Sequence, residues 1–282
     1  MSISHSRWFS SYIRTPLMAL STGWFGTLSL SVSLFEKSGR RQHQIAQAWA
    51  RSLLKIFGAP ITVIGAENLP IAAPATAATD LPTLSASAEA KNVPAIYACN
   101  HLSYMDTPAI FASLPFQFRI LARHGLFKIP FLGWHLRRSG QVPVVIGDTN
   151  GSIRSLNAAV RTLREGLPLV IFPEGGRSPT GKLQDFLSGL AYMSIRAHAP
   201  IVPMALIGTR EVLPMHVYHI RPRPCVLAIG KPISPDGLTM RDLDRLTKQV
   251  YDSIAALYAE HAPAESLPAA LESAPQHSSP TR

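Results

Sequence analysis

Residues 95–106 read AIYACNHLSYMD, an apolar run that gives way to polar residues. The first five residues are typical of a buried strand. His101 and Asp106 follow it, five positions apart. The sequence Asp106-Thr107-Pro108 favours a helix start, because Asp caps helices and Pro is tolerated in their first turn. The stretch therefore predicts a strand, a loop that carries His101, and a helix that begins near Asp106.

The same alternation of strands and helices extends along the chain. Apolar stripes at helical spacing indicate helices near residues 153–163, 187–197 and 243–257. We therefore predict an α/β fold with a mostly parallel sheet flanked by helices, in which ligands bind beyond the carboxyl ends of the strands. The predicted strands are Ile61–Ile64, Ala95–Cys99, Phe118–Ala122, Val142–Ile146, Leu169–Phe172, Ile201–Ile207 and Val226–Ile229.

A second polar motif, FPEGGRS, occupies residues 172–178 at the end of another predicted strand. Its arginine can bind an anion. An imidazole held by a carboxylate can take a proton from a hydroxyl at neutral pH. Together the two motifs indicate an enzyme that activates an alcohol on a negatively charged substrate.

Composition restricts the partners. The formal charge of +10 indicates an anionic partner, either membrane lipid, a phosphorylated metabolite or nucleic acid. Aromatic residues do not interleave with the basic ones and no DNA-binding motif is present, so we expect lipid or phosphate and no nucleic acid. With 46% hydrophobic and 16% charged residues, the chain is more apolar than a typical soluble protein.

The two cysteines, Cys99 and Cys225, lie in apolar runs and form no disulfide framework, which fits a reducing compartment. Cys99 as a thiol nucleophile beside His101 is an alternative to ordinary core packing. No metal is predicted, because His-x4-Asp is not a familiar ligand pair and paired cysteines are missing. The sequence GRSPTG at 176–181 misses the serine hydrolase elbow by one residue.

The N-terminal part favours contact with a membrane. Thr15 to Phe35 contains no charged residue, and basic residues flank it on both sides. Residues 42–57 form an amphipathic pattern that includes Trp49. We predict an N-terminal pair of membrane-associated helices, spanning or lying in the membrane, with a buried core helix as the alternative for residues 15–35.

The ordered set of motifs resembles the glycerolipid acyltransferases, and among them the bacterial lysophosphatidic acid acyltransferases. It consists of residues 100–106, 172–178 and 201–204 (IVPM), and the resemblance runs from about Gln42 to Tyr258. It implies transfer of a fatty acyl group to the free hydroxyl of lysophosphatidic acid, giving phosphatidic acid. The donor is a thioester of coenzyme A or acyl carrier protein, used as a co-substrate with no cofactor.

The resemblance also implies roles for individual residues. His101 would be the general base, and Asp106 would orient its imidazole, with no acyl-enzyme intermediate. Glu174 and Arg177 would contact the acceptor, with Arg177 on its phosphate. The expected substrate-binding residues are Glu174, Gly175, Gly176, Arg177, Ser178 and Arg123.

The chain departs from the family pattern at two positions. Arg123 stands where Lys is usual, and Ile146 stands where the family usually has an arginine that contacts phosphate. A different acceptor, such as a lyso-ornithine lipid, is therefore an alternative. A non-catalytic lipid-binding membrane protein and a lipid hydrolase are further alternatives. No acidic residue lies between Asp106 and Asp148, which favours a surface apposed to anionic membrane lipid.

The predicted organisation has three parts. Residues 1–58 form the membrane-associated helices, and residues 59–260 form the acyltransferase domain with a flexible insertion at 71–92. Residues 261–282 form a disordered tail. We expect the protein at the inner (cytoplasmic) membrane, with its active site on the cytoplasmic side.

Overall fold

The structure is a computed structural model that describes residues 10–70, 94–145, 147–215 and 219–262. The predicted insertion at 71–92, Ile146 and the predicted tail from residue 263 onward lie outside the described residues. A single sheet organises the described part of the chain. The prediction of an α/β fold is confirmed.

Seven strands form the sheet in the order β1-β7-β6-β2-β5-β3-β4. Each lies within a predicted apolar run or shifts from it by at most two residues. Neighbouring strands are parallel except β6 and β7, which are antiparallel, so the sheet is mixed. Among the described residues between β6 and β7, the longest helix has four residues, Thr209–Val212, and an antiparallel pair needs no longer crossover. The strands are β1 Ile61–Ile64, β2 Ile96–Cys99, β3 Arg119–Arg123, β4 Val142–Val144, β5 Leu169–Ile171, β6 Ile201–Ile207 and β7 Cys225–Ile229.

Helices cover both faces of the sheet. On β2, Tyr97 and Cys99 pack in one core cluster, while Ile96 and Ala98 pack in the other. Both faces of a strand are therefore buried, as in α/β proteins generally. Helices α2 and α3 contribute to the first cluster, and α5, α6 and α8 to the second. The helices are α1 Thr15–Val32, α2 Arg40–Phe57, α3 Asp106–Ser113, α4 Leu132–Arg138, α5 Thr149–Arg164, α6 Gly189–Ala197, α7 Thr209–Val212 and α8 Leu243–His261.

Shorter helical turns connect some of these elements. A π-helical turn, Ser10–Arg14, leads into α1. The 3-10 turns are Ala66–Asn68, His124–Lys128 and Met240–Asp242. Helix α8 ends at His261, one residue into the predicted tail.

The N-terminal helices α1 and α2 lie close to their predicted positions. On α1, Leu17, Leu20, Trp24 and Leu28 are 40–70% exposed. Their spacing puts them on one side of the helix, so α1 is not the fully buried core helix of the alternative interpretation. Among residues 10–70 and the other described segments, no helix is both long and apolar enough for a membrane crossing.

Candidate active site

The two polar motifs meet at one edge of the sheet because β2 and β5 are parallel neighbours. Two hydrogen bonds join the loops that follow these strands. The backbone N–H of His101 donates to Glu174 Oε1 at 2.6 Å, and the backbone N–H of Ser178 donates to the His101 carbonyl at 2.8 Å. The pairing of the strands thus places residues that are about seventy positions apart in direct contact.

His101 and Asp106 form a side-chain pair. His101 follows the last residue of β2 by two positions, and Asp106 is the first residue of α3. The distance from His101 Nδ1 to Asp106 Oδ2 is 2.8 Å. Since an ionised carboxylate only accepts hydrogen bonds, Nδ1 carries the hydrogen and Nε2 has the free lone pair. This is the tautomer that a general base requires.

Asp106 is fully buried and held by other donors as well. Its Oδ2 accepts from the backbone N–H groups of Leu102 and Ser103 at 2.7 and 2.8 Å, and its Oδ1 accepts from Thr209 Oγ1 at 2.6 Å. These bonds fix the carboxylate on one side of the imidazole. Asp106 therefore orients His101 and has no oxygen left to contact a substrate.

The imidazole of His101 is also fixed by stacking. Its ring lies 3.9 Å from the Phe172 ring, centroid to centroid, with 14° between the planes. The side chain of His101 is 17% exposed. One ring face is covered and Nδ1 is bonded, so the edge that carries Nε2 is the part left for a substrate.

Two residues that sequence reasoning missed support this pair. Asn100 bonds to both backbone groups of Leu206, with Nδ2 donating at 3.0 Å and Oδ1 accepting at 2.7 Å. It thereby extends the contact between β2 and β6 up to His101. Thr209 follows β6 and Gly208, which has a φ of 87°. A polar residue just past a buried strand and a glycine was the available signal for Thr209.

Glu174 lies within the site but does not line the cavity that His101, Arg123 and Arg177 line. Its Oε1 accepts from His101 N–H, and its Oε2 accepts from the backbone and side-chain N–H groups of Gln184 at 3.0 and 3.2 Å. Burial raises the pKa of the Glu174 carboxyl from 4.5 to about 7, although these bonds act in the lowering direction. Its predicted contact with an acceptor stays a prediction, while the structure assigns it to the His101 loop.

The glycine-arginine turn and the end of β3 supply two cations. The guanidinium of Arg177 lies 3.7 Å from the ring centroid of Tyr104. Arg123 is exposed, and a β-carbon on Gly176 would lie 3.7 Å from its Nη2. Ser178, in contrast, is buried, and its Oγ accepts from the Gly181 N–H at 3.1 Å. Of the expected substrate-binding residues, Arg123 and Arg177 are thus the two charged ones that line the cavity.

A largely apolar cavity of about 1270 Å³ joins these groups. His101, Arg123 and Arg177 line it together with Gly175 and Gly176. Residues of the N-terminal helices, such as Phe25, Leu30, Trp49 and Leu53, also line it. A cavity of this volume, with a few polar groups at one place, is typical of a ligand site.

The alternative of a thiol nucleophile does not fit the structure. Cys99 is fully buried, and burial raises the pKa of its thiol well above the ordinary value. A thiolate is therefore strongly disfavoured at this position. Among the described residues, no group of three or more His, Cys, Asp or Glu side chains could hold a metal ion.

Comparison of the sequence with known protein families identifies the family of this chain. The sequence model of the family described as Acyltransferase matches residues 60–207, which is more than half of the chain. The chain belongs to the acyltransferase family. His101, Asp106 and the turn at 172–178 all lie within the matched region, and the N-terminal helices lie before it.

Similar proteins carry a common name. A chloroplast 1-acyl-sn-glycerol-3-phosphate acyltransferase from Arabidopsis thaliana is 30% identical over 184 residues, which cover 65% of this chain and 46% of that protein. The chain thus spans about half the length of this relative. A 1-acyl-sn-glycerol-3-phosphate acyltransferase from Borreliella burgdorferi is 29% identical over 210 residues, 70% of this chain and 74% of the relative.

A solved structure shares the fold. The crystal structure of the 1-acyl-sn-glycerophosphate (LPA) acyltransferase PlsC from Thermotoga maritima superposes with a TM-score of 0.63 at 22% identity. The match covers 86% of this chain and 95% of that protein. The likeness therefore extends over most of both chains.

Proposed function

We propose that this acyltransferase transfers a fatty acyl group from an acyl thioester to the free hydroxyl of lysophosphatidic acid, forming phosphatidic acid. One observation carries the proposal: a His101 imidazole, oriented by buried Asp106, lines an apolar cavity that also holds Arg177 and Arg123. The names of the similar proteins support the choice of acceptor.

The chemistry uses His101 as general base. Its Nε2 takes the proton of the acceptor hydroxyl while the hydroxyl oxygen attacks the thioester carbonyl carbon. The tetrahedral intermediate then collapses, the carbon–sulfur bond breaks, and the imidazolium returns the proton to the leaving sulfur. An ester and a free thiol result. Asp106 stabilises the imidazolium between the two proton transfers.

The cationic residues account for binding of the acceptor. The phosphate of lysophosphatidic acid would contact Arg177, and Arg123, whose guanidinium lies beside Gly176 and lines the same cavity, would be a second contact. The apolar walls of the cavity would take the acyl chains, each buried methylene contributing about 0.8 kcal/mol. Gly175 and Gly176 would let the backbone approach the ligand, while Ser178 and Glu174 hold the loops in place.

We further propose that the protein acts at the inner (cytoplasmic) membrane, with its active site on the cytoplasmic side. Support comes from the exposed apolar side of α1 and from the formal charge of +10, which favours an anionic lipid surface. The donor would be a thioester of coenzyme A or acyl carrier protein, with no cofactor.

The test is an acceptor panel with the purified protein and both thioester donors. We expect an ester product with lysophosphatidic acid and release of one thiol per ester. A different acceptor is the alternative, because Ile146 stands where the family usually has an arginine. Transfer to a lyso-ornithine lipid, with none to lysophosphatidic acid, would overturn the proposed acceptor. Release of fatty acid without an acceptor would indicate a hydrolase, and binding without turnover would indicate a lipid-binding protein.

A further inference from the structure

A second exposed apolar surface lies on the segment between β3 and β4. Its side chains are 39–67% exposed, and we define it as the 126–134 patch: Leu126, Ile129, Phe131, Leu132 and Trp134. Ile129 and Trp134 do not line the cavity, so the substrate site does not account for their exposure. Contiguous exposed apolar side chains on a folded protein mark a surface that contacts a partner or a membrane.

The backbone holds the centre of this patch in an unfavourable conformation. Phe131 has φ 60° and ψ −56°, and the Leu132 N–H donates to the Pro130 carbonyl at 2.7 Å. This is a γ-turn of the rare kind with positive φ. Phe131 is the most exposed member of the patch, and its ring meets Trp134 at 5.3 Å between centroids. A strained turn that presents two aromatic rings to solvent is typical of a functional surface.

The charged side chains of the segment that carries the patch are all basic. Lys128 is exposed within the segment, and Arg137 and Arg138 follow on α4. No acidic residue occurs between Asp106 and Asp148 to offset them. Aromatic side chains surrounded by basic residues fit the boundary between anionic headgroups and acyl chains. The charge pattern therefore selects an anionic lipid surface over an ordinary apolar protein partner.

Helix α4, which carries Leu132 and Trp134 of the patch, is joined to α1 by hydrogen bonds. His135 Nδ1 lies 2.9 Å from Ser29 Oγ, and Arg138 Nη1 lies 3.4 Å from the Ser33 carbonyl oxygen. Phe131 and Leu132 line the same cavity as α1 residues such as Gly26. Helix α1 and the patch thus border the same cavity.

We propose that the 126–134 patch inserts into the headgroup region of an anionic lipid leaflet, as a second membrane contact in addition to α1. With both contacts in the leaflet, a lyso-lipid would enter the cavity between them without crossing water. This inference rests on the proposed function only in naming the lipid leaflet as the source of the acceptor.

The first test measures partition of the full chain onto vesicles of phosphatidylcholine with phosphatidylglycerol, with no substrate present. The variant Ile129→Ser/Trp134→Ser should partition about tenfold more weakly than the wild type. The matched control, Ile64→Ser/Met240→Ser, removes two side chains that are each 40% exposed and lie on other elements. It should bind like the wild type. Equal loss in both variants, or no loss in the first, would overturn the proposal.

The second test addresses charge and depth. Lys128→Gln should weaken binding to the anionic vesicles about fivefold and leave the weak binding to pure phosphatidylcholine unchanged. In a variant that keeps Trp134 and has phenylalanine in place of the other three tryptophans, brominated lipids in the vesicles should quench the fluorescence of Trp134. Unquenched Trp134, or a change from dimer to monomer in Ile129→Ser/Trp134→Ser, would show that lipid does not cover the patch.

Failure of this proposal can be told from failure of the proposed function. Acyl transfer to lysophosphatidic acid dispersed in detergent should be the same for wild type and Ile129→Ser/Trp134→Ser, because neither side chain lines the cavity. Turnover with unchanged vesicle binding in this variant would refute the patch alone. Quenching and weakened vesicle binding without any turnover would refute the function alone.

Discussion

Replacement of Asp106 by asparagine separates the charge of this residue from its geometry. In Asp106→Asn, the amide oxygen can occupy the position of Oδ2 and still accept from His101 Nδ1 and the two backbone N–H groups. The amide NH₂ then points at Thr209 Oγ1, which can accept as well as donate. The tautomer of His101 is therefore kept, and only the negative charge is lost.

The expected decrease in kcat follows from the loss of the negative charge alone. A hydrogen bond to a charged group contributes about 1.5–3 kcal/mol, roughly twice a neutral one, and the charge matters most when the imidazolium forms. Exchange of the charged bond for a neutral one therefore costs about 0.8–1.5 kcal/mol, which lowers kcat roughly 4- to 13-fold. KM should stay the same because Asp106 is fully buried and does not line the cavity. The assay is the initial rate of thiol release from acyl-coenzyme A at saturating lysophosphatidic acid.

The variant Thr209→Val is the matched comparison. It removes one donor to Asp106 and leaves the charge in place, so it should lower the free energy of unfolding by about 2 kcal/mol and reduce kcat by less than about threefold. A loss in Asp106→Asn as large as that in His101→Ala would mean that the amide has turned and the tautomer has changed. Wild-type kcat in Asp106→Asn would mean that the charge has no part in catalysis.

Two further predictions concern the second motif. Since burial raises the pKa of Glu174 to about 7, the folded protein holds a proton that the unfolded chain releases above pH 4.5. The free energy of unfolding of the wild type should therefore fall by the order of 3 kcal/mol more than that of Glu174→Gln when the pH is raised from 4.5 to 7. Urea unfolding of both proteins at the two pH values measures this, and the same pH dependence in both would contradict it. Arg177→Gln, and to a smaller degree Arg123→Gln, should raise KM for lysophosphatidic acid about tenfold or more but not KM for an uncharged lyso-lipid, while the exposed control Arg161→Gln leaves both unchanged. Equal effects on both acceptors would show that the arginines do not bind the phosphate.

The sheet could be predicted from sequence because each strand is a continuous apolar run between polar or helical segments. The direction of β7 could not, since a strand buried on both faces has the same pattern whether it is parallel or antiparallel to its neighbour. The helical stripes of α5, α6 and α8 were equally visible, because each of these helices buries one side against the sheet.

The site was predictable where its contacts are local. His101 and Asp106 are five residues apart, and the strand, the loop and the helix start between them all have sequence signals. Thr209 bonds to Asp106 across 103 positions. Nothing near either residue encodes that contact, which arises from the pairing of β2 with β6. The role of Glu174 at the acceptor is implied by the family resemblance and stays a prediction, while its sequence position does not reveal its bond to the backbone N–H of His101.

The most direct test of the proposed mechanism compares acyl transfer to lysophosphatidic acid by two variants, His101→Ala and Cys99→Ala. Both variants truncate a side chain on the same strand-loop segment, and circular dichroism would check that both fold. We expect His101→Ala to lower kcat by about 10²–10⁴ and Cys99→Ala to keep substantial transfer, because a positioned base contributes on that scale while the buried thiol takes no part. Transfer that persists in folded His101→Ala, or that disappears in folded Cys99→Ala, would contradict the assignment of His101 as the base.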